Sequence, residues 1–151
     1  MDNDLDFIAD AIQNQMWEGY SKTVIDHAMH PRNIGDIKNA DGYGSAMGDC
    51  GDNLEIWLEV RNGVIQRATF WTDGCHTTIA AASMITEMAK SKRVPDALAI
   101  DQKAVLEALE GLPEDSLHCA QLASNTLREA VKDYLDCQRE PWRKNYRKPT
   151  L

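Results

Sequence analysis

The sequence predicts a single α+β domain, in which helices cover one face of a small three-stranded antiparallel sheet. Three observations support this fold class. Apolar residues recur at helical spacing near both ends of the chain, they alternate with polar residues between positions 53 and 72, and an Asn-Gly pair divides that alternating stretch. The length of 151 residues suits one domain and allows a core without disulfides.

Two helices are predicted before the sheet. Residues 2–15 place apolar side chains at helical spacing among acidic ones, so residues 1–16 form a predicted N-terminal helical extension. Residues 17–29 continue the pattern. Pro31 should end that helix at or before His30, because the residue before a proline avoids helical geometry.

The sheet is predicted from a change of the apolar period from 3.6 to 2. Residues 53–60 alternate Leu, Ile and Val with Glu and Trp, which indicates a half-buried strand. The Asn-Gly pair at 62–63 is typical of a two-residue hairpin turn, and residues 64–72 supply the return strand. A third strand in 42–48 would complete the sheet, although its glycines weaken the pattern.

Three helices are predicted after the sheet. The first covers residues 77–90, and the second starts after Asp101, reaches Glu110 and is ended by Gly111. The last helix has the clearest apolar spacing. Its recurring residues are Cys119, Leu122, Ala123, Thr126, Leu127, Ala130, Val131, Tyr134 and Leu135.

Charge is distributed unevenly along the chain, whose net charge is −8. Five basic residues against one acidic residue give residues 138–151 a net charge of +4, which leaves −12 for residues 1–137. Such an acidic body repels phosphate backbones, so nucleic acid is not expected as the main ligand. We interpret residues 138–151 as a basic C-terminal tail that frays and aids solubility; contact with RNA or with an acidic partner is the alternative.

Hydropathy and the first residues predict the compartment. No apolar run approaches the roughly 20 residues that span a bilayer, so no membrane association is expected. The N-terminus carries acids where a secretory signal carries Lys or Arg. We therefore expect a cytoplasmic protein with reduced cysteines.

Three of the four cysteines lie at predicted element boundaries, where sites usually occur. Cys50 lies in a glycine-rich turn before the first long strand, and Cys75 follows Gly74 where a strand passes into a helix. Cys119 opens the final helix directly after His118. Unpaired N–H groups at a helix start favour a thiolate. Cys137, near the end of that helix, is interpreted as structural.

The cysteine spacing contains no C-x₂-C pair, so neither a zinc ribbon nor a thioredoxin motif is present. Three thiols from three loops, with a histidine and the Asp52 carboxylate, could bind zinc or an iron–sulfur cluster. The residues alone leave the metal open. The alternative is three buried thiols that act as small hydrophobic side chains.

Four segments together resemble a known family. Residues 20–35, Tyr-Ser-Lys-Thr-Val-Ile-Asp-His-Ala-Met-His-Pro-Arg-Asn-Ile-Gly, resemble the N-terminal signature of the U-type iron–sulfur scaffold family, IscU and the N-terminal domain of NifU. Cys-Gly-Asp at 50–52, Phe-Trp-Thr-Asp-Gly-Cys at 70–75 and Leu-His-Cys at 117–119 resemble its three ligand motifs, in order. Residues 17–137 are therefore predicted to form an IscU/NifU-N-like scaffold domain.

The resemblance implies a scaffold and carrier protein rather than an enzyme. Such a protein assembles a transient 2Fe–2S cluster from Fe²⁺ and persulfide sulfur and transfers it to apo-proteins. The residues that match the family's ligands are Cys50, Asp52, Cys75, His118 and Cys119. The same ligand set readily takes Zn²⁺, so the purified protein could hold that ion.

The resemblance also implies roles and partners. Cys119 matches the cysteine that accepts persulfide sulfur from a cysteine desulfurase, and its place beside His118 at a helix start suits a thiolate. Asp52 is a hard oxygen ligand for a soft cluster, so we expect it to favour cluster release. A ferredoxin-type protein would supply electrons, and apo iron–sulfur proteins would accept the cluster. The sequence leaves the oligomeric state open and allows a homodimer.

The chain departs from the family pattern at several positions. His76 replaces a common glycine after Cys75, and we interpret it as a residue of the first helical turn rather than a ligand. Asp49 replaces a small residue. Residues 112–116, Leu-Pro-Glu-Asp-Ser, replace the Leu-Pro-Pro-Val-Lys motif read by the dedicated Hsp70 chaperone, which argues against release by that chaperone.

Two other functions compete with the scaffold. One is a zinc-dependent sulfurtransferase of the SufU type, which accepts persulfide without building a cluster. The other is a structural zinc module. His118 before Cys119 and the absence of a long insertion between Cys75 and Cys119 favour the scaffold. His27 and His30 are interpreted as packing residues, and the tryptophans as core or partner contacts.

Overall fold

The fold is described for residues 17–146 of a computed structural model. The predicted N-terminal helix in 2–15 and the last five positions, 147–151, lie outside the described residues. The helices and strands, in chain order, are α1 (Lys22–Met29), β1 (Gly42–Met47), β2 (Asn53–Arg61), β3 (Val64–Thr72), α2 (His76–Ala89), α3 (Val94–Ala97), α4 (Gln102–Ala108) and α5 (Leu117–Arg139). Short 3₁₀ helices occupy Glu114–Ser116 and Pro141–Tyr146.

The three strands form an antiparallel sheet in the order β1-β2-β3, which confirms the predicted fold class. Asn62 and Gly63 connect β2 to β3 with φ angles of 54° and 74°. Two consecutive positive φ values define the type I′ turn that the Asn-Gly pair predicts. The register shifts once, between Glu59 and Val60, which places a bulge near the hairpin end.

Helices α2 and α5 pack on one face of the sheet, and the main core lies between these two layers. Leu54, Ile56 and Leu58 of β2 are fully buried in it, as their alternation predicts. Trp57, predicted on the polar face, is only 3% exposed. The segment 33–41 folds across that face and packs Ile37 and Ala40 against the indole, a long-range contact that periodicity does not encode.

Helix α5 lies directly against the backbone of β1. A Cβ atom at Gly42 would lie 2.6 Å from the Ala130 carbonyl oxygen. At Gly44 it would lie 2.3 Å from the Ala130 nitrogen and 2.7 Å from the Thr126 oxygen. The glycines that weakened the prediction of β1 are therefore the residues that let the helix approach the strand.

Helix α1 begins at Lys22, later than the pattern in 17–29 predicts. The reason is a cap: the Ser21 hydroxyl accepts a hydrogen bond from the Val24 amide at 3.1 Å and donates one to the Leu109 carbonyl at 2.6 Å. The helix ends before His30, as Pro31 predicts. The short helix α3 was not anticipated from the sequence.

The predicted helix after Asp101 is confirmed as α4. The Asp101 carboxylate accepts a hydrogen bond from the Ala104 amide at 2.9 Å and caps the helix start. Gly111 follows the helix with a φ of +94°, a conformation that favours glycine. Across residues 17–146, no helix is long and apolar enough to cross a membrane.

The interpretation of 138–151 as a frayed tail is wrong as far as residue 146. Pro141–Tyr146 forms a 3₁₀ helix that continues directly from α5. Arg143 lies 3.2 Å from the Asp136 carboxylate, and Lys144 lies 3.3 Å from the Asp41 carboxylate. Arg143 and Lys144 thus pair with acidic residues of the rest of the domain.

The outer edge of β3 carries hydrogen bonds to two loop segments. At one end, the Phe70 amide donates to the Asn33 carbonyl, and the Gly35 amide donates to the Phe70 carbonyl, each at 2.9 Å. At the other end, the Ile65 amide donates to the Lys92 carbonyl at 2.9 Å. Both ends of this edge are thus paired within the chain.

The first prediction concerns the contact between α5 and β1. Gly44→Ala should lower the free energy of unfolding by about 3 kcal/mol, because the new methyl group overlaps helix backbone that cannot rotate away. Urea denaturation measures the change. Met47→Ala, on the same strand with a side chain 68% exposed, is the control and should change stability little. Equal stability of the Gly44 variant and the wild type would contradict the packing described here.

Candidate functional site

The five predicted site residues lie together beside the N-terminal ends of α2 and α5. Cys50 and Asp52 come from the β1–β2 turn, Cys75 precedes α2, and His118 and Cys119 lie in the first turn of α5. Three separate segments therefore converge on one site, as the sequence predicts for the three ligand motifs.

The β1–β2 turn is closed by its own backbone. The Gly48 amide donates to the Asp52 carbonyl at 2.8 Å, and the Gly51 amide donates to the Gly48 carbonyl at 2.9 Å. Gly51 has a φ of +84°, which a residue with a side chain rarely adopts. This turn leaves Cys50 exposed and brings Asp52 back toward α2.

Asp52 is anchored by Thr78 of α2. The Thr78 hydroxyl donates a hydrogen bond of 2.9 Å to Asp52 Oδ2. A Cβ atom at Gly74 would lie 2.8 Å from that same oxygen and 2.9 Å from Thr78 Cβ, so only glycine leaves room for the contact. The carboxylate is thus held by a side chain, in addition to the backbone bonds that close the turn.

Cys75 is the N-cap residue of α2, and its thiol is activated by that position. Partial burial, the largest single influence, would raise the pKa of the Cys75 thiol. The Thr77 hydroxyl, 3.2 Å away, and the backbone amides of Thr77 and Thr78 form hydrogen bonds that lower this pKa. Together they outweigh the effect of burial. The net effect lowers the pKa of Cys75, as expected for a thiol at a helix start.

His118 lies between two of the thiols. Its Nε2 atom is 3.1 Å from Cys50 Sγ and 3.7 Å from Cys119 Sγ. The Thr78 hydroxyl lies 3.5 Å from Cys119 Sγ and 3.9 Å from Cys75 Sγ. Cys119 therefore lies between His118 and Thr78, the residue that also contacts Asp52 and Cys75.

In this arrangement Cys119, which we expect to be a thiolate, is surrounded by groups that favour its protonated form. The residue is 1% exposed, and burial raises the pKa of its thiol. The Thr78 hydroxyl opposes this shift, whereas the negative charges of Cys75, Asp52 and Cys50 add to it. Although Cys119 lies at a helix start, its sulfur is enclosed by site residues such as Thr78 and His118 and is shielded from water.

His118 is close enough to Cys50, and also to Cys119, for each pair of donor atoms to bind one ion. Two ligands of a tetrahedral Zn²⁺ lie about 3.5 Å apart, given Zn–S near 2.3 Å and Zn–N near 2.0–2.1 Å. The distances from His118 Nε2 to Cys50 Sγ and to Cys119 Sγ lie on either side of this value. No three His, Cys, Asp or Glu side chains within residues 17–146 are already closed around one point.

The remaining candidates lie outside the site or at its margin. Cys137 is buried, with Sγ 3.8 Å from the Asp133 carboxylate, in agreement with a structural role. His27 is buried and lies 2.7 Å from the Ser83 hydroxyl, so it is a packing residue. His76 is exposed at the start of α2, where its ring lies edge-on to Trp17 with centroids 4.8 Å apart.

Comparison with known proteins gives the same assignment as the motifs. Residues 19–140 match the family described as the NifU-like N-terminal domain. The chain belongs to this family. The IscU 1 iron–sulfur cluster assembly scaffold protein of Archaeoglobus fulgidus is 47% identical over 116 residues, which cover 76% of this chain and 76% of that protein. The IscU scaffold protein of Escherichia coli is 40% identical over 120 residues, covering 76% and 93%.

Two solved structures share the fold. The NifU-like protein of Brucella abortus superposes with a TM-score of 0.65 at 14% identity, over 77% of this chain and 94% of that one. The protein FiSufU of Fervidobacterium islandicum superposes with a TM-score of 0.64 at 19% identity, over 74% and 96%. At such low identity these matches establish the fold alone, and they confirm the predicted α+β architecture.

Two residues of this NifU-like domain that contact the candidate site were missed from the sequence. Thr78 contacts Asp52, Cys75 and Cys119, and Thr77 hydrogen-bonds Cys75. A signal was present: the third residue after an N-cap position lies on the same side of the first turn, so a hydroxyl at position 78 faces Cys75.

The second prediction concerns the reactivity of Cys75 in the metal-free protein. Thr77→Val removes a hydrogen bond that stabilises the thiolate, so the pKa of Cys75 should rise and its alkylation by iodoacetamide should require a higher pH. Peptide mass spectrometry separates the labelling of Cys75 from that of the other cysteines. Thr77→Ser keeps the hydroxyl and should keep the wild-type pH profile; an unshifted Thr77→Val profile would exclude this cause.

Proposed function

We propose that the protein is a scaffold on which a 2Fe–2S cluster is assembled from iron and persulfide sulfur and then transferred to apo-proteins. The observation that carries this proposal is the convergence of Cys50, Cys75 and Cys119 from three segments on one site with Asp52 and His118. Three thiolates can hold a 2Fe–2S cluster together with one further ligand, which the carboxylate or the imidazole supplies.

The unequal exposure of the ligands supports assembly and release rather than permanent storage. Cys50 and Cys75 are exposed, so iron and an acceptor protein can reach them directly. The donors are close in pairs but not closed around one point, so small movements of the β1–β2 turn suffice to adapt them to an ion or to a cluster. The cluster is cargo in this scheme, with Zn²⁺ as an ion the same donors accept.

Sulfur delivery is assigned to Cys119 by motif position. Its thiolate attacks the outer sulfur of a persulfide on a cysteine desulfurase; a new S–S bond forms on Cys119, and the desulfurase thiolate leaves. This exchange needs no net oxidation. Reducing each transferred sulfur to sulfide takes two electrons, which a ferredoxin-type donor supplies. Because Cys119 is buried, the β1–β2 turn with Cys50 must move aside during transfer.

A zinc-dependent sulfurtransferase of the SufU type is the second candidate. The distances that separate His118 from Cys50 and from Cys119 suit shared coordination of one tetrahedral ion. Anaerobic reconstitution with ferrous iron, cysteine and a cysteine desulfurase separates the two functions. A scaffold should gain iron and acid-labile sulfide together with cluster absorption, whereas a zinc sulfurtransferase should gain only persulfide.

The third prediction tests the cluster ligands. Single replacement of Cys50, Cys75 or Cys119 by Ser should abolish or severely weaken cluster formation, because a hydroxyl is a poor ligand for iron in a sulfide-rich core. Iron and acid-labile sulfide are measured after reconstitution. Cys137→Ser, a buried cysteine far along α5, is the matched control and should reconstitute normally. Wild-type contents in all three ligand variants would end the scaffold proposal.

The fourth prediction concerns release. Asp52→Ala should lengthen the lifetime of the cluster and slow its transfer to an apo-ferredoxin, because a hard carboxylate ligand that favours dissociation is lost. Folding should lose only about 1 kcal/mol from the missing hydrogen bond with Thr78. Transfer is followed by circular dichroism of the acceptor.

Asp49→Ala supplies the control for Asp52, since it removes an exposed acid from the same turn without removing the contact to Thr78. Transfer by Asp52→Ala at the wild-type rate would leave Asp52 with a folding role only.

A further inference from the structure

The sheet face opposite α2 and α5 carries a cleft that the scaffold function does not use. The strand register places these side chains on that face, here called the outer face: Tyr43, Ser45, Glu55, Trp57, Thr69 and Trp71. The segment 33–41 covers Trp57 but stops short of Trp71. Between them lies a cleft of about 130 Å³, lined by Gly35, Asp36, Glu55, Trp57 and Trp71.

The composition of the cleft points to a cationic ligand. Trp71 is 42% exposed, although large aromatic side chains are usually buried. Glu55 lies directly opposite Trp71 in the register, so their Cβ atoms are about 4.5–5.5 Å apart. A cation that stacks on the Trp71 indole therefore lies within reach of the Glu55 carboxylate. Asp36 adds a second acidic side chain to the lining.

Glu55 is oriented by its neighbour on β1. The Tyr43 hydroxyl donates a hydrogen bond to Glu55 Oε1. Burial and the contact with Glu55 raise the pKa of Tyr43 to about 12, so the phenol remains a donor at physiological pH. This hydrogen bond fixes the position of Glu55 Oε1, one of the two carboxylate oxygens.

Beside the cleft, two buried polar atoms have no hydrogen-bond partner in the described part of the chain. Trp57 is 3% exposed, and its Nε1–H finds no acceptor within residues 17–146. The hydroxyl of Thr69, its cross-strand partner, is likewise buried without a hydrogen bond in this part of the chain.

We propose that this cleft binds a single arginine or lysine side chain from a basic segment of a partner protein. Aromatic rings with flanking carboxylates recognise cations through cation–π contact and charge-assisted hydrogen bonds. The volume fits the end of one side chain and is well below the ~300–1,000 Å³ of clefts that bind drug-sized ligands.

The negative net charge of the chain favours a cationic partner at this cleft. Residues 1–137 carry a net charge of −12, so a basic segment is attracted to this body and an anionic one is repelled. The nearby cation on the outer face, Arg67, pairs with Glu59 at 3.4 Å and so does not neutralise Glu55. The proposal is independent of cluster binding, since none of the lining residues is a cluster ligand.

The fifth prediction tests the cleft with short peptides and the full 151-residue chain. Acetyl-Gly-Arg-Gly-amide and its lysine counterpart should shift the indole N–H resonances of Trp57 and Trp71 in ¹H–¹⁵N spectra. Trp142, which is 57% exposed outside the cleft, should not respond. The peptide with citrulline, a neutral isostere of arginine, should bind about tenfold more weakly because the charge is missing.

Two variants test whether Trp71 and Glu55 contribute to peptide binding. Trp71→Ala should weaken peptide binding about threefold to tenfold, the range that one cation–π contact supplies. Glu55→Gln keeps an acceptor for Tyr43 but removes the charge, and it should weaken binding about tenfold. Trp142→Ala and Glu107→Gln, both exposed elsewhere, are matched controls. Iron and sulfide loading should stay at the wild-type level in both cleft variants, which separates this test from that of the scaffold.

Four results would overturn the proposal. The first is equal affinity for the citrulline peptide, and the second is unchanged affinity in both cleft variants. A shift of Trp71 on deletion of residues 147–151 would show that the chain's own C-terminus occupies the cleft. A shift that depends on protein concentration would assign the cleft to a second copy of the chain.

Discussion

The contact between α5 and the backbone of β1 determines where the site residues lie. Gly42 and Gly44 let the helix backbone touch the strand, and no side chain separates them. The N-terminal turn of this helix carries His118 and Cys119, and the end of the strand leads into the turn with Cys50. A change in the spacing between helix and strand would therefore change the distance between His118 and Cys50 directly.

Within the site, the single hydroxyl of Thr78 contacts three of the candidate ligand residues. Thr78 donates to Asp52 and lies within hydrogen-bonding reach of Cys75 and Cys119. A hydroxyl forms weaker contacts with sulfur than iron or zinc does, so the network can hold the donors near one another and still yield to a metal. The arrangement of these candidate ligands therefore depends on one hydroxyl group.

Local sequence signals predicted most of the fold and the membership of the site. The Asn-Gly turn at 62–63, the alternation in β2 and the cap at Asp101 depend on neighbouring residues only, and the structure has all of them. Predictions from local sequence were wrong where a segment distant in the sequence determines the local structure. Ser21 moves the start of α1 by bonding Leu109, and the segment 33–41 buries Trp57. The thiol of Cys119 is buried partly by Thr78, a residue distant in the sequence, which a motif of adjacent residues does not describe.

The paired outer edge of β3 has a consequence for the behaviour of the protein at high concentration. An open strand edge offers a row of amides and carbonyls to which another chain can add a strand, a route to aggregation. Here residues 33–35 and 91–94 occupy both ends of the edge, and the bulge opposite Glu59 and Val60 twists the stretch between them. The exposed Gln66 and Arg67 place polar and charged groups in that stretch. The β3 edge of the sheet is thus shielded from pairing with a strand of another copy of the chain.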